Sequence, residues 1–139
     1  GLGSLARTLH HVRAAERSYM ERVRGRTDPV TTPSPADDPE VGTTEALGFG
    51  ELEASWVELA QRTRADLAAV TDWTTERVCE TTWEGRPYFY RASPADFFAQ
   101  LMLHEVHHRA QALHMLRRLG VETDEIDFNA LMWTAVESP

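Results

Sequence analysis

Apolar residues near the start of the chain recur at Leu5, Leu9, Val12, Tyr19 and Val23, in steps of three, four and seven. That period belongs to one face of a helix and predicts one over about residues 4–24. Ser4 is placed to cap its N-terminus, and Gly25 stands just past its end. The pattern then stops. Pro29, Pro33, Pro35 and Pro39, mixed with Thr, Asp and Gly, mark residues 26–48 as a long irregular connection. Connections of that length inside a compact domain are uncommon and are often functional or mobile.

Leu52, Trp56, Leu59, Thr63, Leu67 and Val70 restore the helical step and predict a second helix from about Glu51 to Val70. Residues 77–91 read differently: Val78, Trp83, Tyr88, Phe89 and Tyr90 gather around Glu84-Gly85, the signature of a short hairpin or extended excursion. The third helix carries the clearest signals. Ser93 precedes Pro94 and stands three places before Asp96, which supplies a capping serine, a first-turn proline and a first-turn acid. The helix is expected to run to Leu119 and stop at Gly120, which at ~1.5 Å per residue makes it nearly 40 Å long. An acidic turn, Glu122 to Asp127, and a short apolar segment, Phe128 to Trp133, follow it.

Long helices with narrow apolar stripes argue for an all-α, up-and-down bundle in a single domain spanning residues 1–139. Composition agrees: 42% hydrophobic and 26% charged residues is a globular balance rather than a disordered one. No apolar run reaches the roughly 20 residues needed to cross a bilayer, so no membrane role is expected. The net charge is −8 and the 14 basic residues are scattered, which argues against nucleic-acid binding through a basic stripe. One cysteine, Cys79, excludes an internal disulfide framework, and no secretory signal is visible at the first residues; a cytoplasmic location is expected.

The candidate chemistry lies in six histidines: His10, His11, His104, His107, His108 and His114. All fall on the first and third predicted helices. The inward seam of the third helix runs Phe97, Leu101, His104, His108, Gln111, Met115. His104 and His108 therefore stand one turn apart, about 40° apart around the axis, where two imidazoles can converge on one divalent ion. The alternative is a hydrogen-bonded pair, each ring with its own buried partner. On the first helix His11 shares the inward sector with Thr8 and Ala15, whereas His10 points further round, toward solvent or a neighbouring element. A crossing helix could bring His11 to the same ion and leave positions open, as catalytic sites require. His107 and His114 read as partly exposed polar residues, and Cys79 has no paired cysteine to make a soft site.

The run His104-Glu-Val-His107-His108-Arg109-Ala-Gln111, leading into Leu116-Arg-Arg-Leu-Gly120, resembles the last long helix of the DinB superfamily, the DNA-damage-inducible, YfiT-like metal-binding four-helix bundles. Ser4-Leu-Ala-Arg-Thr-Leu-His-His11-Val-Arg-Ala-Ala-Glu16-Arg-Ser-Tyr19 is similar to the family's second helix. The resemblance implies a four-helix bundle with a metal triad at His11, His104 and His108, His11 being preferred to His10 by its distance from Glu16. It also implies that the family's first helix lies upstream of Gly1, or that a second chain, in a homodimer, covers the same face. The chain departs from the family pattern at Ala110, where glycine is usual, and at Tyr19, where Trp is common.

Three imidazoles suit zinc, nickel, copper or iron, and affinity order alone does not choose among them; one divalent ion, zinc or nickel, is the expectation. Some members of the superfamily resemble thiol S-transferases, so a metal-dependent transfer of a small-molecule thiol to an electrophile is the expected activity. Glu16, Tyr19, Arg109, Gln111 and Trp133 are the candidates for its pocket. A binding or stress-response module without catalysis is the alternative. A zinc hydrolase is a third reading, because His104-Glu105-Val-His107-His108 matches H-E-x-x-H formally. The longer metzincin pattern fails at Gln111, where it needs glycine.

Overall fold

The computed structural model describes residues 4–25, 48–83 and 86–123, and within them three helices and one β-hairpin. These are α1 (Leu5–Val23), α2 (Phe49–Ala69), β1 (Arg77–Trp83), β2 (Arg86–Ala92) and α3 (Pro94–Arg118). The expected turn at Glu84-Gly85, most of the 26–48 connection and the Phe128 to Trp133 segment lie outside the described residues.

The helix ends follow local chemistry. The Ser4 hydroxyl accepts from the Arg7 amide at 3.2 Å, and Gly25 closes α1 with φ +99°, its amide donating to the Arg22 carbonyl at 2.9 Å. A side chain at Gly25 would be strained by that left-handed backbone, and the mobile Arg77 guanidinium, which a Cβ would meet at 2.9 Å, would have to move aside. At α3 the expected capping box is complete, with the Ser93 hydroxyl accepting from the Asp96 amide and the Asp96 carboxylate accepting from the Ser93 amide at 2.8 Å. These bonds from Ser93 hold the Asp96 carboxyl below its ordinary pKa. Gly120 ends α3 at φ +77°, and the Val121 amide reaches back to the Leu116 carbonyl at 3.1 Å, a Schellman closure.

Two helices carry the core. Met20 and Val23 of α1 meet Phe97 and Leu101 of α3 and Cys79 of β1, all buried, with Tyr19, Leu67, Trp73, Tyr90 and Phe98 around them. Because the C-terminal end of α1 meets the N-terminal end of α3, and His11 meets His104 and His108 further along, the two helices run antiparallel. The hairpin pairs Arg77 with Ala92 through to Trp83 with Arg86, which sets Cys79 opposite Tyr90 on the face turned to the core. Burial pushes the Cys79 thiol pKa up, as a packed core cysteine requires.

Helix α2 is attached more loosely. Leu52 and Leu59 of its predicted stripe are buried, and Trp56, Thr63, Leu67 and Val70 are half-buried. The polar member of the stripe has a partner: the Thr63 hydroxyl donates to Glu16 at 2.6 Å. An open apolar groove of about 400 Å³ remains between α1 and α2, lined by Leu9, Phe49, Leu52 and Trp56. No described helix is long and apolar enough to cross a membrane.

Candidate metal centre

The site sits directly above the core, where the seams of α1 and α3 meet. His11, His104 and His108 each offer a ring nitrogen, and these atoms all lie within 4.8 Å of one another. The Nε2 atoms of His11 and His104 are 3.0 Å apart. The ring centroids of the three pairs are 4.9, 4.7 and 4.4 Å apart. The i, i+4 spacing on α3 aligns two rings and the antiparallel crossing supplies the third, so three half-buried imidazoles converge from two elements.

These residues fit a divalent ion. A separation of 3.0 Å is what two nitrogens show when each lies ~2.1 Å from one ion at about a right angle. The same distance suits an N–H···N hydrogen bond, so the pair is satisfied with or without an ion. Ligation needs neutral rings, and burial, aided by neighbouring His104 and His107, holds the His108 pKa below its ordinary value.

His108 is also held in one tautomer. Its Nδ1 lies 2.9 Å from Gln111 Oε1, while Gln111 Nε2 lies 2.8 Å from His107 Nε2. An amide oxygen can accept but not donate, so Nδ1 of His108 carries the proton and its Nε2 keeps a lone pair for the centre. The amide NH₂ then donates to His107. Among the sequence-nominated pocket residues, Gln111 thus stands behind a candidate ligand.

The others divide. Tyr19 reaches the site, its ring centroid 6.1 Å from that of His104. Glu16 turns to Thr63 on α2, and Arg109 lies on the exposed side of α3. Trp133 lies outside the described residues. His107 and His114 are exposed, as expected.

His10 was expected to face solvent or a neighbouring element, and at 3% exposed it does not face solvent. Sequence reasoning passed over two further features. The buried Arg22 lies 5.7 Å from the Tyr19 ring and 6.0 Å from the Tyr90 ring, placing a cation behind the tyrosine that borders His104. The Gln111 brace was legible in principle, since Gln111 follows His107 by four residues and His108 by three.

Fold and site together define a helical protein with a three-histidine cluster able to hold a metal ion. The chain belongs to the DinB family, whose sequence pattern matches residues 1–138. No curated protein and no solved structure matches it.

Proposed function

We propose that this protein is a metal-dependent thiol S-transferase that holds one divalent ion, zinc or nickel, through His11, His104 and His108. The convergence of three imidazole nitrogens within 4.8 Å, on two helices packed over a buried apolar core, carries this reading. An ion held by three protein nitrogens keeps positions for an exogenous ligand and lowers the pKa of a thiol bound there. The chain's own part is positional. Gln111 keeps the His108 lone pair directed inward, and Tyr19 forms an aromatic wall beside His104 against which an apolar electrophile can lie.

The test uses a low-molecular-weight thiol and monochlorobimane. The thiolate sulfur bonds to the bimane methylene carbon, chloride leaves, and the thiol proton passes to solvent. Conjugation that is lost with chelator and restored by the ion supports the transferase. An ion-loaded protein with no turnover over a panel of thiols and electrophiles favours a binding or stress-response module instead.

The same reading extends to assembly as a four-helix-type bundle completed in a homodimer. Met102 and Val106 lie about 160° round α3 from His104 and are exposed, as is the adjoining Leu103 at 68%. Light scattering is expected to report a dimer of this chain, and a stable monomer at all concentrations contradicts it.

A further inference from the structure

Behind His104 lies an unresolved pairing. Its Nδ1 and the Oε1 of Glu105 are both fully buried atoms without a hydrogen-bond partner, and they face each other at 3.8 Å. Two orphaned polar atoms side by side call for an explanation, because each has given up water without a replacement. The other seam histidine shows what is missing: His108 Nδ1 has its acceptor, Gln111 Oε1, at 2.9 Å.

We propose that Glu105 is the positioning carboxylate of His104, accepting the Nδ1 proton when His104 Nε2 serves as a ligand. This inference rests on the metal reading and goes beyond it by assigning a role to Glu105. The argument turns on tautomers. His11 and His104 meet through their Nε2 atoms at 3.0 Å, and one ring must donate to the other. When His104 donates through Nε2, its Nδ1 lone pair opposes the Glu105 oxygen, and the two stay apart. When His104 Nε2 is instead an electron-pair donor, Nδ1 carries the proton and faces a carboxylate. A shift of about 1 Å then brings them to the ~2.7–2.9 Å of a charge-assisted hydrogen bond. The two seam ligands are thus backed differently, His104 by an anion and His108 by a neutral amide that His107 steadies.

The placement also separates Glu105 from the role that H-E-x-x-H would give it. A peptidase base must reach the open side of the ion. The buried oxygen of Glu105 instead lies by the Nδ1 edge of His104, not the Nε2 edge that meets His11.

The experiment compares zinc affinity, by competition against a chromogenic chelator, in wild type, Glu105→Ala, Glu105→Gln and Glu58→Ala, with thermal melts of each metal-free protein. Loss of a ligand's carboxylate partner is expected to weaken binding by about 10–100-fold in Glu105→Ala, with Glu105→Gln in between because its amide oxygen still accepts. Glu58, exposed on α2, controls for net charge and is expected to leave affinity unchanged. The metal-free Glu105→Ala protein is expected to melt no lower than wild type, since an orphaned buried oxygen has been removed. Wild-type affinity in Glu105→Ala overturns the assignment while leaving the three-histidine reading intact. So does an equal loss in Glu58→Ala. Failure of the wild type to take up zinc or nickel overturns both.

Discussion

Helix α1 faces two neighbours and treats them differently. Against α3 it sets Met20 and Val23 into a buried cluster with Phe97 and Leu101, and it continues the same seam into the three histidines. Against α2, whose Leu52 and Leu59 are buried, it adds polar links at the edge, Thr63 with Glu16, Arg62 with Glu21 at 3.0 Å and Arg24 with Asp66 at 3.5 Å, and leaves an open groove beyond. A metal centre needs its nitrogens fixed to within tenths of an ångström, and close-packed side chains supply that better than solvated ion pairs do. The histidines lie on the interface that carries the buried apolar cluster. The interface with α2 is edged by exposed ion pairs and stays open at the groove.

The comparison breaks most visibly at the floor of the site. Phe97 is 4% exposed, so Phe97→Ala should cost about 3–5 kcal/mol in chemical denaturation and lower metal affinity with it. Val57→Ala, at an exposed position on α2, should stay within about 0.5 kcal/mol. Equal costs at the two positions would erase the distinction between the buried floor of the site and the exposed face of α2.

Ligand loss comes next in size. At an ion concentration a thousand times the dissociation constant, binding adds about 4 kcal/mol to the folded state, seen as a rise in melting temperature. That rise should vanish in His104→Ala, His108→Ala and His11→Ala and persist in His10→Ala, His107→Ala and His114→Ala, although His107→Ala should reduce it by loosening Gln111.

Acidification should act on the same interface. The His108 pKa is depressed in the folded protein, chiefly by burial, so the folded state binds fewer protons than the unfolded chain. Its contribution to stability is therefore present above about pH 6.5 and declines as pH falls from there toward the folded pKa. Protons compete with the ion for the same nitrogen, so metal retention after dialysis should be lower at pH 5.5 than at pH 7.5. Equal retention at the two values would mean that His108 is not a ligand.

The smallest effect belongs to the exposed ion pairs between α1 and α2. Arg62→Ala removes an exposed pair with Glu21 and should cost about 0.2–1 kcal/mol, shrinking in high salt. A larger, salt-insensitive loss would give α2 a structural weight that its polar contacts do not predict.

Much of this arrangement was legible in the sequence because it is local. The i, i+4 step placed His104 and His108 together, the Ser93-Pro94-Asp96 signature fixed the start of α3, and Gly120 its end. The excursion near Tyr88 to Tyr90 emerged as the hairpin β1–β2. His11 rested on two signals, its place in the inward sector of α1 beside Thr8 and Ala15 and, by the family resemblance, its distance from Glu16, which together set it apart from adjacent His10. What sequence could not give is non-local or against helical expectation. The burial of His10, 3% exposed, is not foretold by its step off the His11 sector. Glu105 follows His104 directly, and adjacent helix residues point about 100° apart, so nothing in the spacing pairs them. The exposure of Arg109 is readable from its place off the seam of α3.

The central claim is that α1 and α3 hold one ion between them. Its most direct test is elemental analysis of untagged wild-type and His11→Ala protein after loading with zinc or nickel and removal of free ion. The account predicts about one ion per wild-type chain and almost none in His11→Ala, since two nitrogens from one helix turn bind far more weakly than three from two helices. Full occupancy in His11→Ala, or none in the wild type, would contradict it.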